Sequence, residues 1–229
     1  MGKTLVKKRK LKIFNLLIVL VVLAGIVFSV YLYLQIPIKN IIIKNNKYLT
    51  DDYILDLAKI KNYPEYYKYS SGRIEKNIKK SNYIDDVKVK RLFFHTIEIT
   101  ITEKKPLFCR NQDNKIVFSD RSSILDDSNF VIFRVPRVLN YIPNDKYKRF
   151  INGMDKINDD TLSKISDIVY DPNEIDTDRF LLYMDDGNMV YLTLTKFKMI
   201  NYYNTVLEQL ENRKGVLYLD NGNHFQIKE

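Results

Sequence analysis

Few side chains in this chain have the types and spacing that chemistry needs. The only histidines are His95 and His224, and Cys109 is the only cysteine. A zinc site takes about four nitrogen, sulfur or oxygen ligands at a recognisable spacing, and a nucleophilic thiol needs a partnered base. We therefore predict no metal site, and we interpret Cys109 as a small hydrophobic side chain that is buried beside Phe108.

Paired carboxylates are the other candidates for catalysis. Asp126 is followed by Asp127, and Asp185 by Asp186, but both pairs lie in stretches typical of turns, where aspartate is favoured by its backbone geometry. The chain has 7 glycines and no glycine-rich loop for phosphate. We predict no enzyme, no catalytic residue and no cofactor, although a surface hydrolase is the alternative from the enzyme class.

The C-terminal residues are the best candidates for binding. Residues 216–219 and 224–228 flank Asn221 and Gly222, and Asn-Gly between short strands predicts a hairpin. An edge strand presents unpaired backbone groups, which a partner segment can pair with. In the alternative, Phe225 and Ile227 only complete the core. The predicted partner-binding residues at this sheet edge are His224, Phe225, Gln226, Ile227 and Lys228. A proline at Gln226 would test the edge if that N–H points outward.

An uncharged run must position these outer segments relative to a membrane. Ile13–Leu34 has 22 residues, and at about 1.5 Å each its helix exceeds a hydrocarbon core of about 30 Å. Lysine and arginine dominate residues 1–12, which predicts a cytoplasmic N-terminus and an outer C-terminal part. A cleaved signal peptide is the alternative, but the bulky residues 31–34 stand where cleavage would fall. We expect an uncleaved anchor.

Composition excludes two further interpretations. The net charge of +9 and the pI near 9.3 are typical of nucleic-acid binding, but much of the excess lies in residues 1–12 and is a topology signal. With a single cysteine, no internal disulfide is possible. We therefore predict no nucleic-acid partner and no small-molecule substrate.

Residues 37–106 have the pattern of a small sheet with helices. A β-branched strand at 41–43 precedes a helix capped by Thr50, and Ser70 opens a second helix. Two segments then alternate apolar and polar residues, so one face of each is buried. The buried residues are predicted to be Val87, Val89, Ile97, Ile99 and Ile101.

Residues 107–229 read as strands with fewer helices. Hairpins are predicted at 107–119, around Asp186-Gly187 and at the C-terminus. An apolar run lies at 130–135, and a strand is predicted at 165–170. Helical spacing is seen in two stretches, which carry Tyr147, Phe150, Ile151 and Met154, and Phe197, Ile200, Tyr203, Leu207 and Leu210. We expect the second to be one long α-helix stopped by Gly215. The fold class is α+β, with a mostly antiparallel β domain.

Three stretches carry a resemblance. Residues 41–52, 74–91 and 97–106 resemble a POTRA domain, and with the preceding apolar helix the chain resembles the FtsQ/DivIB family of bacterial division proteins. Two positions depart from the usual pattern: Asn45-Asn46 replaces Gly-Asn, and Phe94 stands near a usual proline. The resemblance implies a basic tail at 1–12, a transmembrane helix at 13–35, a POTRA domain at 36–106 and a β domain at 107–229.

The resemblance also implies a function. A member of this family would be a non-enzymatic scaffold in the cell membrane at the division septum, where it binds divisome membrane proteins of the FtsB/DivIC and FtsL type. The family is thought to receive its partner at the last strand of the β domain. A POTRA-type chaperone module for exported polypeptides is the alternative. Lysines of residues 73–80 could face anionic lipid, although a solvated helix face is the simpler interpretation.

Overall fold

The computed structural model describes residues 13–126, 134–209, 211 and 213–228. The predicted basic tail, Asp127, most of the apolar run at 130–135 and Leu210 lie outside the described residues. The α-helices are α1 Ile13–Leu34, α2 Asp51–Ala58, α3 Ser71–Ile78, α4 Asn144–Met154, α5 Asp159–Leu162 and α6 Tyr203–Gln209, with a 3₁₀ helix at Leu194–Tyr202. The strands are β1 Asn40–Lys44, β2 Ile84–Leu92, β3 Thr96–Glu103, β4 Pro106–Arg110, β5 Lys115–Phe118, β6 Ser123–Leu125, β7 Arg137–Val138, β8 Ile165–Tyr170, β9 Arg179–Met184, β10 Met189–Thr193, β11 Gly215–Tyr218 and β12 His224–Ile227.

Helix α1 is exposed along its whole length. None of its residues is buried, although all but a few are large and apolar. Among the described residues it is the one helix long and apolar enough to cross a membrane. The helix predicted from the sequence is therefore confirmed in type and bounds.

The first sheet has three strands in the order β1-β3-β2. Strand β1 is parallel to β3, and β2 is antiparallel to it. The hydroxyl groups of Thr50 and Ser70 accept from the N–H groups of Tyr53 and Arg73. The predicted N-cap at Thr50 is confirmed, and Ser70 caps the helix that it was predicted to open. Helices α2 and α3 pack with this sheet around one apolar core, as expected for a POTRA unit.

The predicted inward face of β2 and β3 is also confirmed. Val89 lies opposite Ile99 across the two strands, and Lys88 lies opposite Thr100. Val89 is 7% exposed, whereas Lys88 is exposed to solvent. All five predicted side chains are buried: Val87, Val89, Ile97, Ile99 and Ile101.

The second sheet has nine strands in the order β12-β11-β10-β9-β8-β7-β4-β5-β6. Most neighbours are antiparallel, but β10 with β11, β7 with β8 and β4 with β7 are parallel. Helix α4 and the 3₁₀ helix cover the core face of this sheet. There the Phe150 ring stacks on Phe180 at 4.9 Å, and Phe197 meets both rings edge-on.

The expectation of one long α-helix after β10 is wrong. Its first nine residues form the 3₁₀ helix, and only Tyr203–Gln209 is α-helical. The reason is visible in the spacing, since a 3₁₀ helix has three residues per turn and places every third side chain in one row. That row consists of the buried residues Leu194, Phe197, Ile200 and Tyr203.

Gly215 does not stop this helix either, because it opens strand β11. A Cβ atom there would lie 2.1 Å from the carbonyl oxygen of Gln226 and 2.8 Å from the ring of Phe225. The glycine is therefore needed for the close approach of β12 and has no role as a helix cap.

The two sheets are joined by direct contacts. The Tyr83 ring meets Phe118 edge-on at 6.4 Å between centroids. The Lys105 ammonium donates to the carbonyl oxygens of Asp155 and Ile157 at 2.7 and 3.0 Å. These contacts join the end of the POTRA segment to the helical layer of the second sheet.

The strand faces generate the first prediction. Val89→Asp buries a carboxylate with no cation opposite it, and we expect it to cost roughly 3–5 kcal/mol of the free energy of unfolding. Lys88→Asp places the same side chain one residue away on the solvent side, where we expect a cost of about 0.5 kcal/mol. Thermal melts followed by circular dichroism check the ranking. If Lys88→Asp melts lower than Val89→Asp, the assignment of the strand faces is wrong.

Candidate partner-binding edge

Strand β12 forms one edge of the nine-stranded sheet. It is antiparallel to β11, with Val216 opposite Gln226 and Leu217 opposite Phe225. Beyond the strand, the Lys228 N–H donates to the carbonyl oxygen of Lys214 at 2.9 Å. The sheet edge expected from the sequence is thus where β12 lies.

The backbone of β12 alternates between β11 and the open side. Because the Lys228 N–H points to β11, the N–H of Gln226 points there too, and those of Phe225 and Ile227 point away. The proline test at Gln226 assumed that its N–H points outward, and this assumption is wrong. Within the described residues, the outward N–H groups of Phe225 and Ile227 have no hydrogen-bond partner.

The two apolar side chains of β12 differ in burial. Phe225 is half-buried, packs against the core and covers Gly215. Ile227 is 48% exposed. Phe225 therefore does contribute to the core, as the alternative interpretation expected, whereas Ile227 leaves apolar surface at the free edge.

The opposite face of β12 is held by a row of stacked rings. The His224 ring stacks on Tyr218 at 4.7 Å, and Tyr218 stacks on Tyr191 at 5.2 Å. The Arg179 guanidinium lies 3.6 Å from the centre of the Tyr191 ring and pairs with Asp220. This row crosses β9, β10, β11 and β12, so it fixes the edge strand to the body of the sheet.

A buried polar cluster anchors the start of β11. The Asn188 side chain is buried, and its Oδ1 accepts from the Gly215 N–H at 2.8 Å. Its amide nitrogen donates to the Tyr203 hydroxyl and to Asp186, and Tyr203 donates to Asp186 in turn. Burial raises the pKa of the Tyr203 phenol, which therefore stays protonated as a donor at neutral pH. The Asp186 carboxylate therefore accepts hydrogen bonds that stabilise this turn.

A groove of about 390 Å³ runs beside the edge strand. It lies between the helical segment and strands β11 and β12, on the face that carries Phe225. Its lining is mostly apolar: Met199, Tyr202, Tyr203, Val206, Gln209, Leu217, Leu219, Asn223, His224 and Phe225. A segment added beside β12 would therefore find both backbone partners and an apolar pocket for its side chains.

The remaining candidates for chemistry are dispersed. Burial raises the pKa of the Cys109 thiol, which lies in a small apolar cluster. The His95 ring lies among aromatic rings, 5.1 Å from Tyr66. No group of three or more His, Cys, Asp and Glu residues that could hold a metal ion occurs in the described part of the chain.

Several known proteins are similar to this chain. The family model described as "POTRA domain, FtsQ-type" matches residues 36–104. "Cell division protein DivIB" of Listeria monocytogenes serovar 1/2a is 27% identical over 96% of this chain and 84% of its own length. The protein of the same name from Bacillus subtilis (strain 168) is 24% identical over 96% of this chain and 86% of its own length. The chain is thus similar to the FtsQ/DivIB family, with an FtsQ-type POTRA domain at residues 36–104.

One solved structure is also similar to this chain. The major extracytoplasmic domain of DivIB from Geobacillus stearothermophilus matches with a TM-score of 0.38 and 16% identity, over 48% of this chain and 96% of that chain.

Sequence reasoning missed two features of the β12 edge. The Asn188 cluster joins residues that are distant in sequence, and Asn188 itself resembled an ordinary turn residue. The stacked row was signalled only by tyrosines at alternate strand positions, which do not reveal which strands are neighbours. Whether the five predicted residues bind a partner stays a prediction.

The close approach at Gly215 generates the second prediction. Gly215→Ala places a methyl group against the Gln226 carbonyl and the Phe225 ring, so β12 must separate from β11. We expect the protein to remain folded while amide hydrogen exchange at residues 224–228 rises at least about tenfold.

Gly72→Ala is the matched control for Gly215→Ala. A methyl group at Gly72 meets no atom within 4 Å, so exchange at residues 224–228 should match that of the wild type. Unchanged protection of this segment in Gly215→Ala would contradict the close packing of β12.

Proposed function

We propose that this chain is a non-enzymatic, single-pass scaffold of the bacterial division machinery, which binds other divisome membrane proteins during septum formation. Its partners would be of the FtsB/DivIC and FtsL type, and it would act in the cell membrane at the division septum. The proposed organisation is a cytoplasmic tail at 1–12, a transmembrane helix at 13–35, a POTRA domain at 36–106 and a β domain at 107–229.

Three observations support the cellular role. The curated relatives from Listeria and Bacillus carry the name of a cell division protein and align with nearly the whole chain. Helix α1 has the length and the mostly apolar surface of a bilayer-spanning segment. Residues 1–12 are rich in lysine and arginine, which favours a cytoplasmic N-terminus.

The free edge of β12 is the observation that carries the binding role. Two outward N–H groups and an exposed Ile227 lie in a strand that contains no proline. The strand is nevertheless rigidly held, by the stacked rings on one face and by Phe225 on the other. A partner segment that adds here does not also have to order the receiving strand, which lowers the entropic cost of binding.

The geometry also defines what the partner must present. An added strand places alternate side chains on opposite faces of the sheet. On the core face these side chains meet the apolar groove beside Phe225, and on the other face they meet His224 and Gln226. We therefore infer a partner segment whose alternate residues are apolar and whose other residues are polar.

The third prediction tests the topology. Protease added to intact spheroplasts should digest the chain beyond α1 and leave a small anchored fragment, because residues 36–229 are proposed to be outside. A tag at the N-terminus should survive this treatment, and a tag at the C-terminus should be lost. Protection of the C-terminal tag until the membrane is permeabilised would overturn the proposed orientation.

The fourth prediction tests the edge. Ile227→Pro removes an outward donor and places a ring where a partner strand would approach, while the bond from Lys228 to Lys214 is retained. We expect binding to the FtsB/DivIC-type and FtsL-type proteins of the same bacterium to weaken at least about tenfold. Co-purification from solubilised membranes measures binding, and the melting temperature should change little.

Ile227→Ala is the matched control, because it removes the same side chain and keeps the donor. It should weaken binding less than Ile227→Pro does, because it loses only the apolar contact. Gln226→Pro removes an inward donor instead, so it should lower the melting temperature together with binding. Full binding by Ile227→Pro would exclude this edge as the site but would leave the scaffold role standing.

A further inference from the structure

The hairpin between β2 and β3 has an unusual tip. Phe93 and Phe94 are 90% and 83% exposed, more than any other pair of adjacent aromatic residues in the described chain. Phe94 and His95 have left-handed backbone angles, with φ of 59° and 56°. Glycine and asparagine are the usual residues at such positions, and bulky side chains there are rare. Neither core packing nor turn geometry explains two phenylalanines here.

The tip lies beside the end of α1. The Tyr33 ring, in the last turn of that helix, is 5.9 Å from the ring of His95. The Tyr33 hydroxyl shares a hydrogen bond of 2.8 Å with the Tyr67 hydroxyl. The Lys39 N–H donates to the His95 carbonyl at 3.0 Å. The hairpin tip is therefore at the level where the helix leaves the hydrocarbon core.

The base of the hairpin holds the tip firmly. The Tyr66 hydroxyl donates to the Leu92 carbonyl at 3.1 Å, and the Tyr66 ring packs edge-on against His95 at 5.1 Å. The Arg91 guanidinium lies 4.4 Å from the centre of the Tyr66 ring. Because these contacts fix both strands, the exposed phenylalanines cannot fold back onto the domain without breaking them.

Exposed phenylalanines are among the apolar side chains that protein segments bury at the membrane–water interface. Two phenylalanines alone bind a bilayer weakly, but α1 tethers this tip to the same bilayer and raises its effective concentration. We propose that Phe93 and Phe94 insert into the outer leaflet beside α1, so that lipid is the occupant of this surface. The inference rests on the proposed membrane-spanning role of α1.

Insertion would give the POTRA domain a second point of contact with the membrane. The helix alone would pass any tilt of its own to the domain through its hydrogen-bonded joint. With the tip in the interface, the three-stranded sheet and everything joined to it take one orientation relative to the bilayer plane. The adjacent Leu92 is also exposed and extends the same apolar surface.

The chain contains no tryptophan, so a single tryptophan reports on one position. Phe94→Trp in the full chain, reconstituted into vesicles of phosphatidylcholine and phosphatidylglycerol, should emit at shorter wavelength than an exposed indole. Brominated phosphatidylcholine should reduce its emission roughly twofold or more, since the ring is at interfacial depth. Tyr202→Trp is the control, because Tyr202 is exposed beside the β12 groove and should not be quenched.

Tyr31→Trp separates failure of this inference from failure of the anchor. Tyr31 lies within α1, so its replacement should be quenched if the helix spans the bilayer. Quenching of Tyr31→Trp without quenching of Phe94→Trp would overturn the insertion and leave the anchor intact, and would point to a protein partner at the tip. Absence of quenching in both would overturn the anchor and the insertion together.

Discussion

The side-chain amide of Asn188 is the interaction on which the terminal hairpin depends. It closes a hydrogen bond to the first backbone N–H of β11, in a position that water does not reach. Because β10 and β11 are parallel, the chain must leave the sheet through the helical segment and return, and no tight turn can set the register between them. The hydrogen bond from Gly215 to Asn188 sets this register. The Tyr203 hydroxyl accepts from the same Asn188 amide and so joins the helix to the network.

The two sheets treat their edges differently. On β2, the N–H of Val89 is occupied by the Glu75 carboxylate at 2.8 Å, so that edge is partly blocked by its own helix. On β12, the outward groups have no such partner within the described residues. Exposed edges are a liability unless they are blocked or used. The contrast within one chain favours use at β12.

Features that depend on neighbouring residues could be predicted from the sequence, whereas the pairing of distant strands could not. The cap at Thr50, the helix start at Ser70, the alternation around Val89 and the hairpin at Gly187 each depend on residues close in sequence, and each was predicted correctly. Strand order, the parallel return to β11 and the direction of the Gln226 N–H depend on distant partners, so no local pattern encodes them. The 3₁₀ helix was missed because its period of three resembles that of an α-helix over a few turns.

The joint below the POTRA domain has a mechanical consequence. Between α1 and β1 the chain is tied down at every step, by hydrogen bonds from Gln35 to Leu32, from Ile38 to Pro64 and from Tyr66 to Ile36. A helix of about 33 Å exceeds a hydrocarbon core of about 30 Å, and helices relieve such mismatch by tilting. Because these hydrogen bonds hold the joint, a tilt of α1 is passed on to the whole outer region. The thickness of the bilayer thus becomes a variable that sets the height and direction of the far edge.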